Sequence, residues 1–295
     1  MLTPDRIEAL CEQSKDRLAA ARAAIRAKGS ALVAFSGGVD SALVLKLALE
    51  ELGDRAVALT AISASVAPAE KAEAARLAKL WGARHLQIDS KELDDPRYAQ
   101  NPTNRCYFCK SELYAICEQK RAELGLAVVM DGFNADDRKD HRPGQKAARE
   151  REIYSPLADA QLTKDEVRAW SYRLGLPTWN KPAMPCLASR IPYGTAVTVE
   201  RLRQIGGAEA ALRRLGLKIF RVRFHEEIAR IEVSAEEFPK FHDAQFREAA
   251  LNAVKAQGFK FVVLDLEPFR SGRLNEAAGV VSKPEGAVAL PVVAS

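Results

Sequence analysis

Two groups of side chains in the 295-residue chain are placed to do chemistry. One is Ser36-Gly37-Gly38-Val39-Asp40-Ser41, which follows the apolar run 31–35 and opens a helical pattern through Ala42, Leu43, Leu45, Leu47 and Leu49. A strand–loop–helix of this composition turns backbone N–H groups and the positive end of a helix toward a phosphate chain. Gly37 and Gly38 let the backbone come close with no Cβ in the way, and Ser36 and Ser41 add hydroxyl donors. The Gly-Lys-Ser/Thr ending of a Walker A loop is missing. Asp40 stands in the first turn instead, and a carboxylate beside phosphates needs a bridging cation, so Mg²⁺ is expected there.

The other group is a set of thiols. Cys106 and Cys109 form a C-x-x-C pair in PTNRCYFCKSE, and Cys186 lies in MPCLASRIPYG. A structural Zn²⁺ would want four ligands where three plausible thiols exist, and a redox dithiol would leave Cys186 without a role. Three thiols around a [4Fe–4S] cluster would leave one iron open for an exogenous sulfide. Cys11 and Cys117 fall on apolar helical stripes and read as small core residues.

The elements that must position these groups alternate. A helix over 5–28 is expected to end at Gly29, and strands are expected at 31–35, 56–62, 85–88 and 127–132, with helices after the first two. That order predicts an α/β fold: a mostly parallel sheet with helices on both faces. Ligands of such sheets bind beyond the carboxyl ends of the strands. Cys106 and Cys109 are read as part of the loop after the third strand, so all three thiols should gather there. Thr163-Lys-Asp-Glu166 is a capping-box pattern opening a helix over 163–175. The stretch 176–195 carries four prolines and reads as a functional loop at a domain boundary. Beyond it, helix 198–215, strands 219–224 and 228–233, helix 240–257 and strand 260–266 suggest a smaller α+β domain. The expected division is 1–190, 191–276, and a tail over 277–295.

The Ser-Gly-Gly-Val-Asp-Ser loop, MDGFNADD at 130–137 and SPLADAQLTKDEVRAWSYRLGLPTWNKP at 155–182 resemble the PP-loop ATPases. These cleave ATP between the α and β phosphates and adenylylate an oxygen of the substrate. FNADDRKDHRPGQKAARE, MPCLASRIPYGT, FRVRFHEEIARIE and GFKFVVLDLEPFRSGRLNE extend the resemblance over about 250 residues to the LarE family of sulfur transferases in nickel-pincer nucleotide biosynthesis. The resemblance implies a pyridinium-3,5-biscarboxylic acid mononucleotide substrate whose carboxylates become thiocarboxylates, destined for the nickel cofactor of lactate racemase. It places ATP at Ser36, Gly37, Gly38, Val39, Asp40, Ser41, Lys110 and Gly132. It places the substrate at Ser189, Arg190, Glu209, Arg221 and Arg223, at the junction of domains or subunits. Arg221 and Arg223 alternate along one strand and so share a face, where planar guanidinium forks suit phosphate and carboxylate. The resemblance further implies a homo-oligomer, with a hexamer as the family's form.

One branch of the family donates sulfur from a single sacrificial cysteine, leaving dehydroalanine, and Cys186 matches that position. The presence of Cys106 and Cys109 matches the cluster-bearing branch, so Cys106, Cys109 and Cys186 are expected to hold a [4Fe–4S] cluster. His141 and Arg142 match a family stretch without an evident role. A tRNA-thiolating PP-loop enzyme is the alternative reading, but it should show an RNA-binding module or a larger basic face than a net charge of +5 provides. An amide-forming synthetase would need a glutaminase and would not explain three cysteines. A zinc-stabilised binding protein would not need Asp40 in an intact loop. The charged N-terminus and the lack of an apolar run near the ~18 residues of a membrane helix point to a cytoplasmic chain.

Overall fold

The computed structural model describes residues 2–139, 143–270 and 272–279. The chain divides into two compact units, residues 1–99 with 104–187, and residues 100–103 with 188 onward. His141, Arg142 and the segment 280–295 lie outside the described residues.

The first unit opens with α1 (Pro4–Ala27), capped by Thr3 and burying Ile7, Leu10, Cys11, Leu18 and Ile25 along one stripe. Strand β1 (Ala31–Ala34) is wholly buried and runs through the phosphate-type loop into α2 (Val39–Leu52). Then come β2 (Ala56–Ile62), α3 (Pro68–Leu80), β3 (Arg84–Asp89), the single turn α4 (Pro96–Ala99) and α5 (Arg105–Glu123). Strand β4 (Val128–Met130) is followed by α6 (Pro143–Glu150), α7 (Pro156–Asp159) and α8 (Lys164–Arg173). The four strands form one parallel sheet in the order β3-β2-β1-β4, as the βα alternation predicts. Leu43, Leu45 and Leu47 of α2 are fully buried with Val33, Ala58 and Met130, so the helix that carries the loop is fixed in the core. His85 of β3 is structural: its Nε2 meets Thr60 Oγ1 at 2.8 Å, and burial lowers its pKa. The Thr163–Glu166 capping box opens α8 as the sequence predicts.

One expectation is corrected. Cys106 and Cys109 are not in a loop; they occupy the first turns of α5. Pro102 precedes the helix without interrupting it, and Leu113, Ile116 and Cys117 continue an apolar spacing that packs on the sheet. A separation of three residues then puts both thiols on one helical face. Cys117 belongs to the core, where burial pushes its thiol up to about 12.

The second unit contains α9 (Val199–Arg214), β5 (Phe220–His225), β6 (Ile228–Val233), α10 (Ala244–Lys255), β7 (Phe261–Leu264) and α11 (Arg273–Ala277). Its sheet is mixed: β5 and β6 are antiparallel, β6 and β7 parallel. Residues 100–103 contribute to this unit through Asn101, which is fully buried at φ +56°. Its side-chain amide donates to the carbonyls of Pro192 at 2.8 Å and Thr195 at 2.9 Å. Helix α11 runs into the start of the stretch read as tail. No described helix is long and apolar enough to cross a membrane.

Candidate active site

The phosphate-type loop is held open by its own side chains. Ser41 Oγ accepts from Ser36 N at 3.2 Å and lies 3.1 Å from Ser36 Oγ, while Gly38 N donates to Ser36 Oγ at 3.3 Å. Gly37 has φ +70°, and a Cβ there would meet Ala74 of α3 at 3.2–3.4 Å. No side chain caps α2 at Gly38, so its first-turn N–H groups are left for an anion.

Gly132 packs against the first turn of α2. A Cβ there would stand 2.7 Å from Ser41 N and 3.0 Å from Asp40 C, against the first turn of α2. Gly132→Ala is therefore expected to destabilise the protein by about 1–3 kcal/mol or to push the loop out of shape. A lowered melting midpoint together with weaker ATP binding by calorimetry would check this, and an alanine variant indistinguishable from wild type would refute it.

Asp40 is held from two sides. Lys164 Nζ pairs with its Oδ2 at 2.5 Å, and Asn134 Nδ2 donates to Oδ1 at 3.1 Å. Lys181 Nζ donates to Gly37 O at 3.1 Å and pairs with Glu70 at 2.7 Å. Two lysines thus flank the loop, from α8 and from the WNKP segment. Sequence reasoning misses both, because a lysine after a capping threonine looks like a solvated surface residue. The signal that could find them is their position inside the stretch resembling the PP-loop ATPases. Lys110, on α5, lies over the rings of Tyr114 at 5.5 Å and Phe133 at 5.9 Å. Nearby Asp131, 3% exposed, accepts from Tyr114 Oη at 2.7 Å and Ser155 Oγ at 2.6 Å.

Electrostatics link the three thiols, because the charge of Cys186 acts on both Cys106 and Cys109. Burial raises the Cys106 thiol, the charge of Cys186 raises it further, and Arg105 and Lys110 oppose both. Cys109 is pushed well above the ordinary thiol range by burial, then by Glu92 and Cys186. Glu92, 4% exposed, accepts from Ser63 Oγ at 2.6 Å and from Ser65 Oγ, and its charge acts on Cys109. Leu187 N donates to Ser65 O at 2.7 Å, which ties the Cys186 loop to the same Ser63–Ser65 turn. No disulfide links the five cysteines. Among the described residues, no group of three or more His, Cys, Asp or Glu side chains stands in an arrangement that could hold a metal ion.

In the second unit the expected substrate residues are buried rather than solvated. Arg190, 1% exposed, grips both oxygens of Glu209 at 2.9 and 3.0 Å and donates to Ser189 Oγ at 2.9 Å. Arg223 donates to Glu232 at 2.9 Å and to Ser189 O at 2.8 Å. Arg221, 6% exposed, lies over the Phe269 ring at 4.8 Å. Burial and the charge of Arg190 lower its pKa to about 10, with Glu209 opposing. A buried guanidinium crowded by other guanidiniums is electrostatically prepared for an anion.

No family model matches the chain. The first unit's parallel sheet, uncapped glycine loop and first-turn aspartate define an ATP-dependent PP-loop enzyme. Over 174 residues the chain is 28% identical to a component of the glutamine-hydrolysing GMP synthase of Methanosphaerula palustris, covering 55% of each. It is 48% identical over 245 residues to an uncharacterised protein of Synechocystis, covering 83% of this chain and 91% of the relative. It is 40% identical, also over 245 residues, to the pyridinium-3,5-bisthiocarboxylic acid mononucleotide synthase of Lactiplantibacillus plantarum, covering 83% of this chain and 88% of that enzyme. The chain belongs to the LarE-like family of PP-loop ATP-dependent sulfur transferases.

Proposed function

We propose that the chain uses Mg·ATP to adenylylate the carboxylates of pyridinium-3,5-biscarboxylic acid mononucleotide and replaces the activated oxygen with sulfur, in the cytoplasm. The observation that carries the reading is the loop itself: an uncapped α2 N-terminus with Asp40 at its first turn and Lys164 and Lys181 beside it. The N–H groups of that turn bind the phosphates, Ser36 and Ser41 orient them, and Asp40 is the group that would hold Mg²⁺. Lys164, released from Asp40 when the cation arrives, is then available to neutralise the departing pyrophosphate. A carboxylate oxygen of the substrate attacks the α-phosphorus and pyrophosphate leaves. The resulting acyl-adenylate has AMP as its leaving group, which a sulfur nucleophile displaces. The substrate's anionic groups match the buried Arg221 and Arg223 of the second unit, with Ser189 and the Arg190–Glu209 pair supporting them.

Three thiols are a soft donor set of the kind iron takes, and the charge of Cys186 acts on both Cys106 and Cys109, although the described side chains would have to draw together to ligate a metal. A [4Fe–4S] cluster held there would supply an open iron for sulfide. A second reading has its own observation. Among the described residues the three thiols stand in no metal-holding arrangement, which favours Cys186 as a lone sulfur donor. In that case Cys186 displaces AMP to form a thioester, and loss of its Cα proton breaks the Cβ–S bond, leaving dehydroalanine and a thiocarboxylate. Self-association, carried by the family resemblance, is supported by the exposed Phe261 and Val263 of β7 and by Leu266.

Incubation with ATP, Mg²⁺ and the dicarboxylate mononucleotide should release AMP and pyrophosphate and yield product with oxygen exchanged for sulfur. Asp40→Asn should lower pyrophosphate release by about 10²-fold or more. Absence of AMP and pyrophosphate with this substrate would reject the reading. Iron and acid-labile sulfide in anaerobically purified protein, and the protein's mass after turnover, separate the cluster from the sacrificed cysteine.

A further inference from the structure

The sheet of the second unit has two unlike faces. Along β5 and β6, Phe220, Val222, Ile231 and Val233 alternate onto a buried apolar face. The cross-strand pairs Arg221–Glu232 and Arg223–Arg230 stand on the other. The acids of that charged face are already taken. Glu232, 0% exposed, is held by Arg223 at 2.8 Å, Arg230 at 3.3 Å and Arg273 at 3.4 Å. Asp265 is held by Arg230 at 2.8 Å and Arg273 at 3.0 Å. With Arg221, these arginines outnumber the carboxylates they share. Such a face suits the two carboxylates and the phosphate of the mononucleotide. It does not suit the fixed positive charge of the pyridinium ring that carries them.

Phe269 answers that mismatch. Its backbone N–H donates to Val233 O at 2.7 Å, one residue beyond Glu232, which pins it at the Arg221 end of the face. Its ring centroid is 4.8 Å from the Arg221 guanidinium, so a cation already rests on its aromatic face. The side chain is only half-buried. A second phenyl ring, Phe261, pairs with Ile228, about 13 Å along β6 from the row of Arg221. We infer that Phe269 is a specificity-determining residue for the substrate's pyridinium ring, which it takes by a cation–π contact on the face that now holds Arg221. A substrate carboxylate that draws Arg221 to itself clears that face for the ring. Burial of Arg221 and its crowding by Arg190 and Arg223 favour the exchange. The arginines read only the anionic groups, whereas the quadrupole of Phe269 tells a cationic ring from an uncharged one of similar outline. The inference rests on the proposed mononucleotide substrate and names the residue that selects its ring.

The test uses the full-length protein with Phe269 replaced by mono-, di- and trifluorinated phenylalanine, which keep the ring's outline while draining its π face. Calorimetry gives dissociation constants for the pyridinium mononucleotide and for its dihydropyridine form, which keeps both carboxylates and the phosphate but has no ring charge. Both ligands displace Arg221 alike, so the ratio of the two constants isolates the charge of the ring. That ratio, pyridinium over dihydropyridine, should rise stepwise with fluorination and reach roughly tenfold for the trifluorinated ring. Phe269→Leu should raise it by a similar factor, and the near-isosteric fluorinated series decides the matter should the leucine variant fold poorly. A ratio that stays constant along the series overturns the inference, because the ring then serves only as packing. No saturable binding of either ligand by wild type overturns it together with the mononucleotide substrate. Graded binding without release of AMP and pyrophosphate supports the role of Phe269 and rejects adenylylation alone.

Discussion

Cys186→Ala should abolish thiocarboxylate formation while leaving ATP–pyrophosphate exchange within about twofold of wild type. In the proposed reaction the two halves use different parts of the first unit. Phosphate groups, Mg²⁺ and the pyrophosphate leaving group would be served by residues 36–41, Lys164 and Lys181, none of which depends on a thiol. Cys186 lies instead with Cys106 and Cys109, its loop tied by the Leu187 N–Ser65 O bond at 2.7 Å. A group that holds or supplies the transferred atom has no substitute, so product should fall by about 10³-fold or more. Cys106→Ala divides the two sulfur sources: it should match Cys186→Ala if a cluster is used and stay near wild type if Cys186 is sacrificed. Chromatography of product against released AMP gives both numbers. A Cys186→Ala enzyme keeping a tenth of its sulfur transfer would remove this residue from the mechanism.

The largest stability effect is expected in the second unit, at Arg190. Its guanidinium is bidentate on Glu209, and Glu209 also takes Val222 N at 3.1 Å, so the pair joins α9 to β5 in the interior. Removing the arginine leaves a buried carboxylate with a single backbone donor, at a cost of about 3–5 kcal/mol. Arg190→Ala should show that loss in the denaturant midpoint at unchanged slope. The double variant Arg190→Met, Glu209→Leu should recover most of it, because no charge is then stranded. A loss below about 1 kcal/mol for Arg190→Ala would mean that the pair is solvated rather than a buried clamp. The same substitution should weaken substrate binding, since Arg190 shapes the setting of Arg221.

The parts of this protein that can be read from its sequence are those in which local pattern and tertiary role agree. Strand, glycine loop and helix around residues 31–52 announce themselves by composition, and the capping box at Thr163 does so by spacing. Arg221 and Arg223 can be placed on one face of a strand, but not their burial. A strand with charges at alternate positions has the same pattern whether those charges meet water or carboxylates such as Glu232. The C-x-x-C pair reads as loop because Pro102 and Asn104 look like loop residues, whereas the helix starts directly after them. Glu92 and Ser65 carry no signal at all: their hydrogen bond joins segments 27 residues apart, and each alone looks like an ordinary glutamate or serine.

Asn101 has a bearing on how the protein can be made and divided. The chain crosses into the second unit for four residues and returns just before the cysteine helix, and the acceptors that Asn101 needs lie 91 and 94 residues further on. During synthesis these two carbonyls emerge only after every strand of the parallel sheet. The two units are consequently not interchangeable modules cut from a string. A gene fragment stopping at Leu187 would include Cys106, Cys109 and Cys186 yet take the carbonyls of Pro192 and Thr195 away from the buried Asn101.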